Sequence, residues 1–265
     1  MEIDDVIIAL PARAFDKVNQ LVSELHDLPV KVWIIPDYFH LALHKAVFEE
    51  FAGIPMLDLR APALNEYQRT IKRVFDIGII TLLSPIILIL IAIISVAIWL
   101  EDRGSILFRQ LRVGENGRLF EMLKFRTMVP NAEHLRHMVE KRDDLGHLLH
   151  KSPDDPRVTN VGRFLRRTSL DELPQIFNVL KGEMSLVGPR PELPFLVENY
   201  EPWQRKRFAV PQGLTGWWQV NGRSDKPMHL YTEEDLYYVQ HYSVLLDLSI
   251  LFRTIGAVLR GKGAF

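Results

Sequence analysis

The chain has 265 residues, of which 48% are hydrophobic and 25% are charged, and its formal net charge is −1. This length suits one large domain or a domain with an appendage, and a net charge near zero creates no global field that would attract nucleic acid. Cysteine is absent, which excludes a disulfide scaffold, a cysteine metal site and a thiol nucleophile. The first residues lack the basic and apolar regions of a signal peptide, so none is predicted.

Residues 1–62 are predicted to form a partial Rossmann-like α/β segment, because apolar runs and helical spacings alternate along them. The predicted strands occupy 6–10, 30–35 and 56–59, and the predicted helices occupy 15–28 and 39–51. The glycine-rich nucleotide-binding motif is absent from this stretch. We therefore interpret the segment as a folded spacer or an oligomerisation element that could support a homodimer.

After a linker at 62–70, the run from Ile77 to Leu100 contains no charged residue. About 20 apolar residues are enough to cross a bilayer core, so this run is predicted to enter a membrane. Ser84 and Pro85 lie in its first half. Proline removes a backbone donor, which predicts a break or kink, and a neighbouring serine can hydrogen-bond the freed carbonyl.

Basic residues flank the apolar run on both sides, with Lys72 and Arg73 before it and Arg103 after it. The positive-inside rule places both flanks in the cytoplasm, which favours a hairpin that re-enters the same leaflet. A straight span remains an alternative. We predict that residues 63–102 form the linker and a re-entrant membrane helix.

Residues 103–265 are predicted to form an α+β catalytic domain with interfacial helices. Strands at 108–114 and 120–126 would be joined by a tight turn at Glu115–Gly117. An amphipathic helix is predicted at 131–149. Four histidines accompany it, namely His134, His137, His147 and His150. They are interpreted as solvated side chains and not as a metal site. The last helix, 243–260, is amphipathic and basic, so it could lie in the headgroup region or pack on the core.

Two adjacent carboxylates, Asp171 and Glu172, follow a basic run that contains Arg163, Arg166 and Arg167. An anionic pair beside a cationic cluster is what metal-assisted phosphate chemistry requires. Ser169 followed three residues later by Glu172 also matches a capping box, for a helix that would end at Gly182. Both interpretations stay open at this point.

Two loops carry side chains suited to a phosphorylated sugar. Arg190 stands between Pro189 and Pro191, and a rigid backbone there would present a planar guanidinium to phosphate oxygens. A loop at 211–223 contains adjacent tryptophans among glutamine, asparagine and arginine. These aromatic residues suit interfacial anchoring, stacking on a sugar or base, or packing in the core.

The string from Val161 to Gln175, continued from Asn178 to Pro191, resembles the bacterial sugar transferase family of monotopic polyprenyl-phosphate phosphoglycosyl transferases. The resemblance also covers Lys72–Asp76, Ser84–Pro85 and Lys124–Met128, and it extends to the end of the chain. It is nearest to the large form, such as undecaprenyl-phosphate glucose or galactose phosphotransferases, without the N-terminal membrane bundle. Residues 1–62 would then be the last part of that form's Rossmann-like domain.

The resemblance implies that Asp171 attacks the β-phosphate of a UDP-sugar, expels UMP and forms a covalent phosphosugar intermediate. Glu172 would help to hold Mg²⁺, and undecaprenyl phosphate would accept the hexose-1-phosphate. This is the first membrane step of exopolysaccharide or O-antigen assembly, on the cytoplasmic face of the bacterial inner membrane. The substrate-binding candidates from the resemblance, the basic run and the two loops are Lys124, Arg126, Arg157, Arg163, Arg167, Arg190, Gln219, Asn221 and Arg223.

Two other functions remain open from the sequence. Asp154 and Asp155 could bind the metal of a membrane glycosyltransferase, which would release UDP instead of UMP. A non-catalytic membrane scaffold for glycan assembly is the second alternative, and it predicts that Asp171→Asn leaves function intact.

Overall fold

The structure is a computed structural model. It describes residues 5–25, 28, 30–35, 45–51, 54–61, 63–130, 132, 141–142, 148–149, 155–221 and 232–260. The chain separates into two compact units, Met1–Pro62 and Ala63–Phe265, which are described here one at a time.

The first unit begins with two parallel strands joined by a helix. Strand β1 spans Asp5–Ile8, helix α1 Phe15–Leu25 and strand β2 Lys31–Ile34. The strands are in register from Asp5 opposite Lys31 to Ile8 opposite Ile34. The strand–helix–strand order and the parallel pairing confirm the element types predicted for this part of the segment, while its Rossmann-like character stays a prediction.

The second half of the first unit differs from the prediction. Strands β3 (Lys45–Phe51) and β4 (Ile54–Ala61) pair in antiparallel fashion, with Phe48 opposite Leu57. The helix predicted at 39–51 is therefore wrong over 45–51, and residues 39–44 lie outside the described residues. Pairing with the adjacent strand outweighs the helical spacing of the apolar residues, because strand preference depends mainly on cross-strand neighbours.

The second unit begins with α2, one long helix over Glu66–Asp102. Asn65 forms a capping box with Gln68, and Arg103 ends the helix in the left-handed conformation. Within the described residues, α2 is the helix long and apolar enough to cross a membrane, with a mean hydropathy of 3.0 in its most apolar window. Its apolar side chains are widely exposed, for example 78% for Leu82, which indicates association with a membrane.

Helix α2 continues as one α-helix through Pro85, so the break that is one of the two predicted possibilities is absent, while a kink stays a prediction. Pro85 cannot donate to the carbonyl of Thr81, four residues earlier, and the Ser84 hydroxyl donates to that oxygen instead at 2.8 Å. The serine thus satisfies the carbonyl that proline frees, as expected in an apolar medium. The re-entrant course of α2 stays a prediction.

Both ends of α2 pack on the second unit, while its middle is exposed. Lys72, Asp76 and Ile80 are buried near the start, and Ile94 and Ile98 are buried near the end. Lys72 was predicted as a membrane-flanking charge, yet it is 2% exposed and lies 2.7 Å from an Asp247 carboxylate oxygen. It is therefore an internal ion pair between the first and last helices of the unit.

The hairpin that follows α2 agrees with the prediction. Strands β5 (Leu107–Val113) and β6 (Leu119–Phe125) are antiparallel, with Phe108 opposite Lys124. The turn at Glu115–Gly117 places Asn116 at φ 54° and Gly117 at φ 77°, conformations that asparagine and glycine tolerate.

The helix predicted at 131–149 is wrong where the structure describes that stretch. Lys141–Arg142 and Leu148–Leu149 form two short antiparallel strands, β7 and β8. Backbone pairing between these segments replaces the amphipathic helix there. The four histidines of the stretch and Asp154 lie outside the described residues.

The rest of the second unit consists of six α-helices and a pair of short parallel strands among the described residues. The helices are α3 (Asn160–Thr168), α4 (Gln175–Lys181), α5 (Pro194–Glu198), α6 (Trp217–Asn221), α7 (Thr232–Gln240) and α8 (Val244–Arg260). Strands β9 (Ser185–Val187) and β10 (Gly213–Thr215) are parallel, so β10 and α6 occupy part of the loop predicted at 211–223. Helix α8 buries Asp247 and Ile250 and exposes Leu245 and Phe252, which gives it one packed and one exposed face.

Candidate active site

The carboxylate pair lies on a short turn between two helices. Helix α3 ends before Ser169, whose φ of 57° is left-handed, and a 3-10 turn then covers Leu170–Glu172. The Ser169 side chain makes no capping hydrogen bond to this turn, and α4 begins only at Gln175. The capping-box interpretation is therefore wrong, while Gly182 does end α4 with a φ of 85°.

Glu172 is held by two cations. Lys124 Nζ lies 3.0 Å from Glu172 Oε1, and Arg190 Nη2 lies 2.6 Å from the same oxygen. Arg190 Nη1 donates to Oε2 at 3.3 Å, which makes the arginine contact bidentate. Burial alone would raise the pKa of Glu172, but Arg190 and Lys124 hold that pKa well below its usual range.

Asp171 has the opposite electrostatic environment. Burial and the neighbouring charge of Glu172 raise the pKa of Asp171, against the attraction of Lys124, Arg190 and Arg166. Among the described residues, its carboxylate has no hydrogen-bond or ion-pair partner. Adjacent carboxylates whose environments shift their pKa values in opposite directions are typical of sites that divide chemical roles between two acids.

Two buried arginines fix the backbone on which Arg190 stands. Arg207 Nη2 donates to the carbonyl of Arg190 at 2.9 Å, and Arg112 Nη1 donates to the carbonyl of Pro191 at 3.2 Å. Arg207 also lies 2.5 Å from Asp235 and is fully buried. The pKa of Arg112 falls to about 10 because of burial and the nearby charge of Arg190.

Neither Arg112 nor Arg207 is predicted as a site residue from the sequence. Their local sequence resembles ordinary surface basic segments, and their acidic partners are distant along the chain: Arg207 pairs with Asp235, and Arg112 pairs with Glu192. Burial of both groups became evident only from the fold.

The other predicted cations lie at several places. On α3, Arg163 and Arg167 are exposed, whereas Arg166 donates to Thr127 Oγ1 at 3.0 Å and lies near enough to Asp171 to affect its pKa. Arg126 pairs with Asp102 at the end of α2, so it holds that helix and does not contact Glu172.

Arg157 pairs with Asp155, with Nη2 2.7 Å from a carboxylate oxygen. The Asp155 carboxylate is therefore occupied by an ion pair with Arg157, which counts against a metal role for Asp155.

The polar loop residues lie near α6. Gln219 is buried and donates to the carbonyl of Leu214 at 3.2 Å, while Asn221 accepts from Arg253 at 3.4 Å. Arg223 lies outside the described residues. Trp217 stacks on Tyr237 with ring centroids 4.9 Å apart, and Tyr237 in turn stacks on His241.

The described residues contain no group of three or more acidic, histidine or cysteine side chains that could hold a metal alone. Asp171 and Glu172 nevertheless offer the hard oxygen ligands that Mg²⁺ prefers, and Mg²⁺ is often bound by one or two carboxylates together with substrate phosphates. The residues fit such a shared site, although Lys124 and Arg190 engage Glu172 in this structure.

Comparison with known proteins places these residues in a family. The family model described as bacterial sugar transferase matches residues 67–261. The UDP-galactose-lipid carrier transferase of Erwinia amylovora is 42% identical over 205 residues, covering 74% of this chain and 42% of that protein. The UDP-glucose:undecaprenyl-phosphate glucose-1-phosphate transferase of Escherichia coli K12 is 36% identical over 272 residues, covering 100% of this chain and 56% of that protein.

A shorter relative is matched over most of its own length. The exopolysaccharide production protein ExoY of Sinorhizobium fredii is 40% identical over 202 residues, covering 73% of this chain and 88% of that protein. The chain spans about half the length of the two longer relatives. The family match includes α2, the carboxylate turn and the Arg190 loop, and the chain belongs to the bacterial sugar transferase family.

Proposed function

We propose that this protein transfers a hexose-1-phosphate from a UDP-sugar to undecaprenyl phosphate and releases UMP. The observation that carries the proposal is the Asp171 carboxylate, which is unpartnered among described residues while its neighbour Glu172 is held by two cations. The names of the relatives support the substrate classes, since they include a glucose-1-phosphate transferase acting on undecaprenyl phosphate. Glucose and galactose are the sugars that we propose to test first.

In the first step, an Asp171 oxygen attacks the β-phosphorus of the UDP-sugar. The bond from that phosphorus to the bridging oxygen breaks, and UMP leaves with the bridging oxygen and its electron pair. In the second step, a phosphate oxygen of the lipid attacks the same phosphorus and releases the Asp171 carboxylate. The product is a sugar joined to the lipid by a diphosphate, and covalent catalysis of this kind gives ping-pong kinetics.

The cations around the dyad suit the charge of this reaction. Arg190 offers a planar fork and Lys124 a point charge, both of which bind phosphate oxygens well. Glu172 would hold Mg²⁺ with Asp171 beside it, and the bound ion would supply neutralisation of the diphosphate. Removal of the metal is expected to abolish UMP release.

The location of both α2 ends on one unit supports a re-entrant course through the membrane. Lys72 and Asp102 lie near opposite ends of the apolar run, and each pairs with a residue of the same compact unit. A helix that bends at Pro85 and returns to the side it entered would keep both ends in one compartment. This bend is part of the proposal, since α2 is one continuous α-helix in the structure. Exposed Arg103 and Arg109 favour the cytoplasmic face of the inner membrane.

Assembly of an exopolysaccharide or O-antigen is the pathway we propose.

The decisive experiment measures nucleotide release from UDP-glucose and UDP-galactose by the full chain in detergent with Mg²⁺ and undecaprenyl phosphate. We expect UMP with one donor, no UMP from Asp171→Asn, and normal release from Asp16→Asn, which removes an exposed carboxylate. In a second assay without lipid, labelled sugar phosphate should remain on the wild-type protein and on Asp16→Asn, but not on Asp171→Asn.

Other results would favour the alternatives. Release of UDP would indicate a glycosyltransferase that does not cleave the diphosphate. Full activity of Asp171→Asn would contradict the assignment of the nucleophile. A protein that supports glycan assembly in cells but releases no nucleotide from any donor would indicate the scaffold.

A further inference from the structure

Helix α2 contacts the beginning of the helix that precedes the dyad. Glu101, near the end of α2, accepts hydrogen bonds from the backbone amides of Asn160 at 2.8 Å and Val161 at 3.3 Å. These amides belong to the first turn of α3, where backbone donors have no partner within the helix. A carboxylate at that position also interacts favourably with the helix dipole. Glu101 therefore holds the first turn of α3, which Thr159 caps, against α2.

The same helix contacts the end of the helix that follows the dyad. Arg73, near the start of α2, donates to the carbonyl oxygens of Val179 and Leu180, the latter at 2.8 Å. Both carbonyls lie in the last turn of α4, where acceptors lack partners within the helix. Arg73 therefore holds the last turn of α4 against α2, where Gly182 ends the helix.

Between these two contacts, the dyad turn itself is packed on α2. Leu170 and Leu173 stand immediately before and after Asp171–Glu172, and both pack against the cluster that contains Ile94 and Ile98. The turn is a single 3-10 turn, and α4 has only 7 residues. Elements this short are marginal alone, so packing and end contacts decide their position.

We propose that Arg73 and Glu101 are positioning residues through which the membrane helix holds the Asp171–Glu172 turn. The proposal rests on the proposed function and extends it. Both residues lie just outside the apolar run of Ile77–Leu100, one at each side. The position of that run in the bilayer is thereby linked, through α3 and α4, to the positions of the Asp171 and Glu172 side chains.

The test compares alanine and conservative variants of the full chain in lipid nanodiscs. Glu101→Ala and Arg73→Ala should lower kcat by about 10- to 100-fold with little change in KM, because small displacements of reacting groups have effects of this size. Glu101→Gln keeps an acceptor and Arg73→Lys keeps a donor, so each should recover much of the rate. Glu66→Ala and Arg109→Ala, which change exposed charges, are the matched controls and should behave as wild type.

Hydrogen exchange provides a readout that does not depend on activity. Exchange across 160–181 should increase in both alanine variants and stay unchanged in the controls. Wild-type exchange and kcat in the alanine variants would overturn the proposal. So would a uniform rise in exchange over the second unit with no rescue by Gln or Lys, since that pattern describes a general loss of stability. If wild type released no UMP but the local exchange pattern held, the proposed function would fail and the positioning role would stand.

Discussion

Glu172 is kept ionised in a largely buried site because Arg190 and Lys124 both pair with it. Replacing Arg190 by Gln removes the nearer pair of donors, so the pKa of Glu172 should rise, and the already raised pKa of Asp171 should rise further. Glu172 has a lowered folded pKa, so its ionised form stabilises the fold above its unfolded value of about 4.3, and this effect is lost as pH falls through the folded pKa. Arg190→Gln should move that loss to higher pH.

This change can be measured as the acid limb of the pH profile of kcat, together with the unfolding midpoint between pH 3 and pH 6, about the range where carboxylates titrate. We expect both to shift to higher pH in Arg190→Gln, and to a smaller extent in Arg190→Lys, which keeps the charge but loses the fork. Arg109→Gln, which removes an exposed arginine, should leave the profile unchanged. Superimposable profiles for Arg190→Gln and wild type would show that Arg190 does not set the ionisation of the dyad.

At the residue scale, the sequence predicts which side chains are charged but not which charges meet. Asp171, Glu172, Lys124 and Arg190 could be proposed together only through the family resemblance, since they come from three separate segments. Lys72 was placed at a membrane flank because its partner Asp247 is remote in sequence. Local patterns contain no information on such pairs, and burial converts an apparent surface charge into an internal one.

At the element scale, the Arg190 loop is placed by a close approach between the backbone after β9 and the backbone before β10, and this approach depends on a glycine. A Cβ added at Gly188 would lie 2.3 Å from the carbonyl oxygen of Pro211, which is backbone and cannot rotate away. Gly188→Ala should therefore separate the strands, destabilise the protein by about 1–3 kcal/mol and lower UMP release. Chemical denaturation and the release assay measure the two effects.

Gly256→Ala is the matched control for this prediction. Gly256 lies within α8 and a Cβ there meets nothing within 4 Å. Because alanine favours a helix interior over glycine, this variant should be more stable by about 1 kcal/mol. Equal effects of the two substitutions would mean that the close approach at Gly188 does not limit the packing of β9 and β10.

Elements with strong local signals were predicted well from sequence. The apolar run of α2, the β5–β6 hairpin with its turn at Glu115–Gly117, and the last helix all agree with the structure. Segment 45–51 belongs to a predicted helix over 39–51, but it pairs with 54–61 as a strand. Short segments with mixed spacing take their conformation from the strand beside them, which a local pattern does not reveal.

At the scale of the whole molecule, the second unit holds α2 from two sides. Near its start Lys72 pairs with Asp247 of α8, and at its end Asp102 pairs with Arg126, the residue after β6. The exposed apolar side chains lie between these contacts, with Leu82 and Ile89 as examples. A helix anchored this way keeps both ends with the second unit while its apolar middle is exposed. The re-entrant course proposed above additionally requires a bend of α2 at Pro85.

Cysteine labelling can test this topology directly, because the chain contains no natural cysteine. Tyr67→Cys and Ser105→Cys place single thiols at exposed positions before and after the apolar run, and Glu198→Cys marks the side of the catalytic unit. With a membrane-impermeant maleimide, all three should react in inverted inner-membrane vesicles and none in intact spheroplasts. A straight span would separate Tyr67→Cys from Ser105→Cys, so that one of them reacts in spheroplasts. That outcome would contradict the re-entrant course, in which both ends of the apolar run lie on the same side of the membrane.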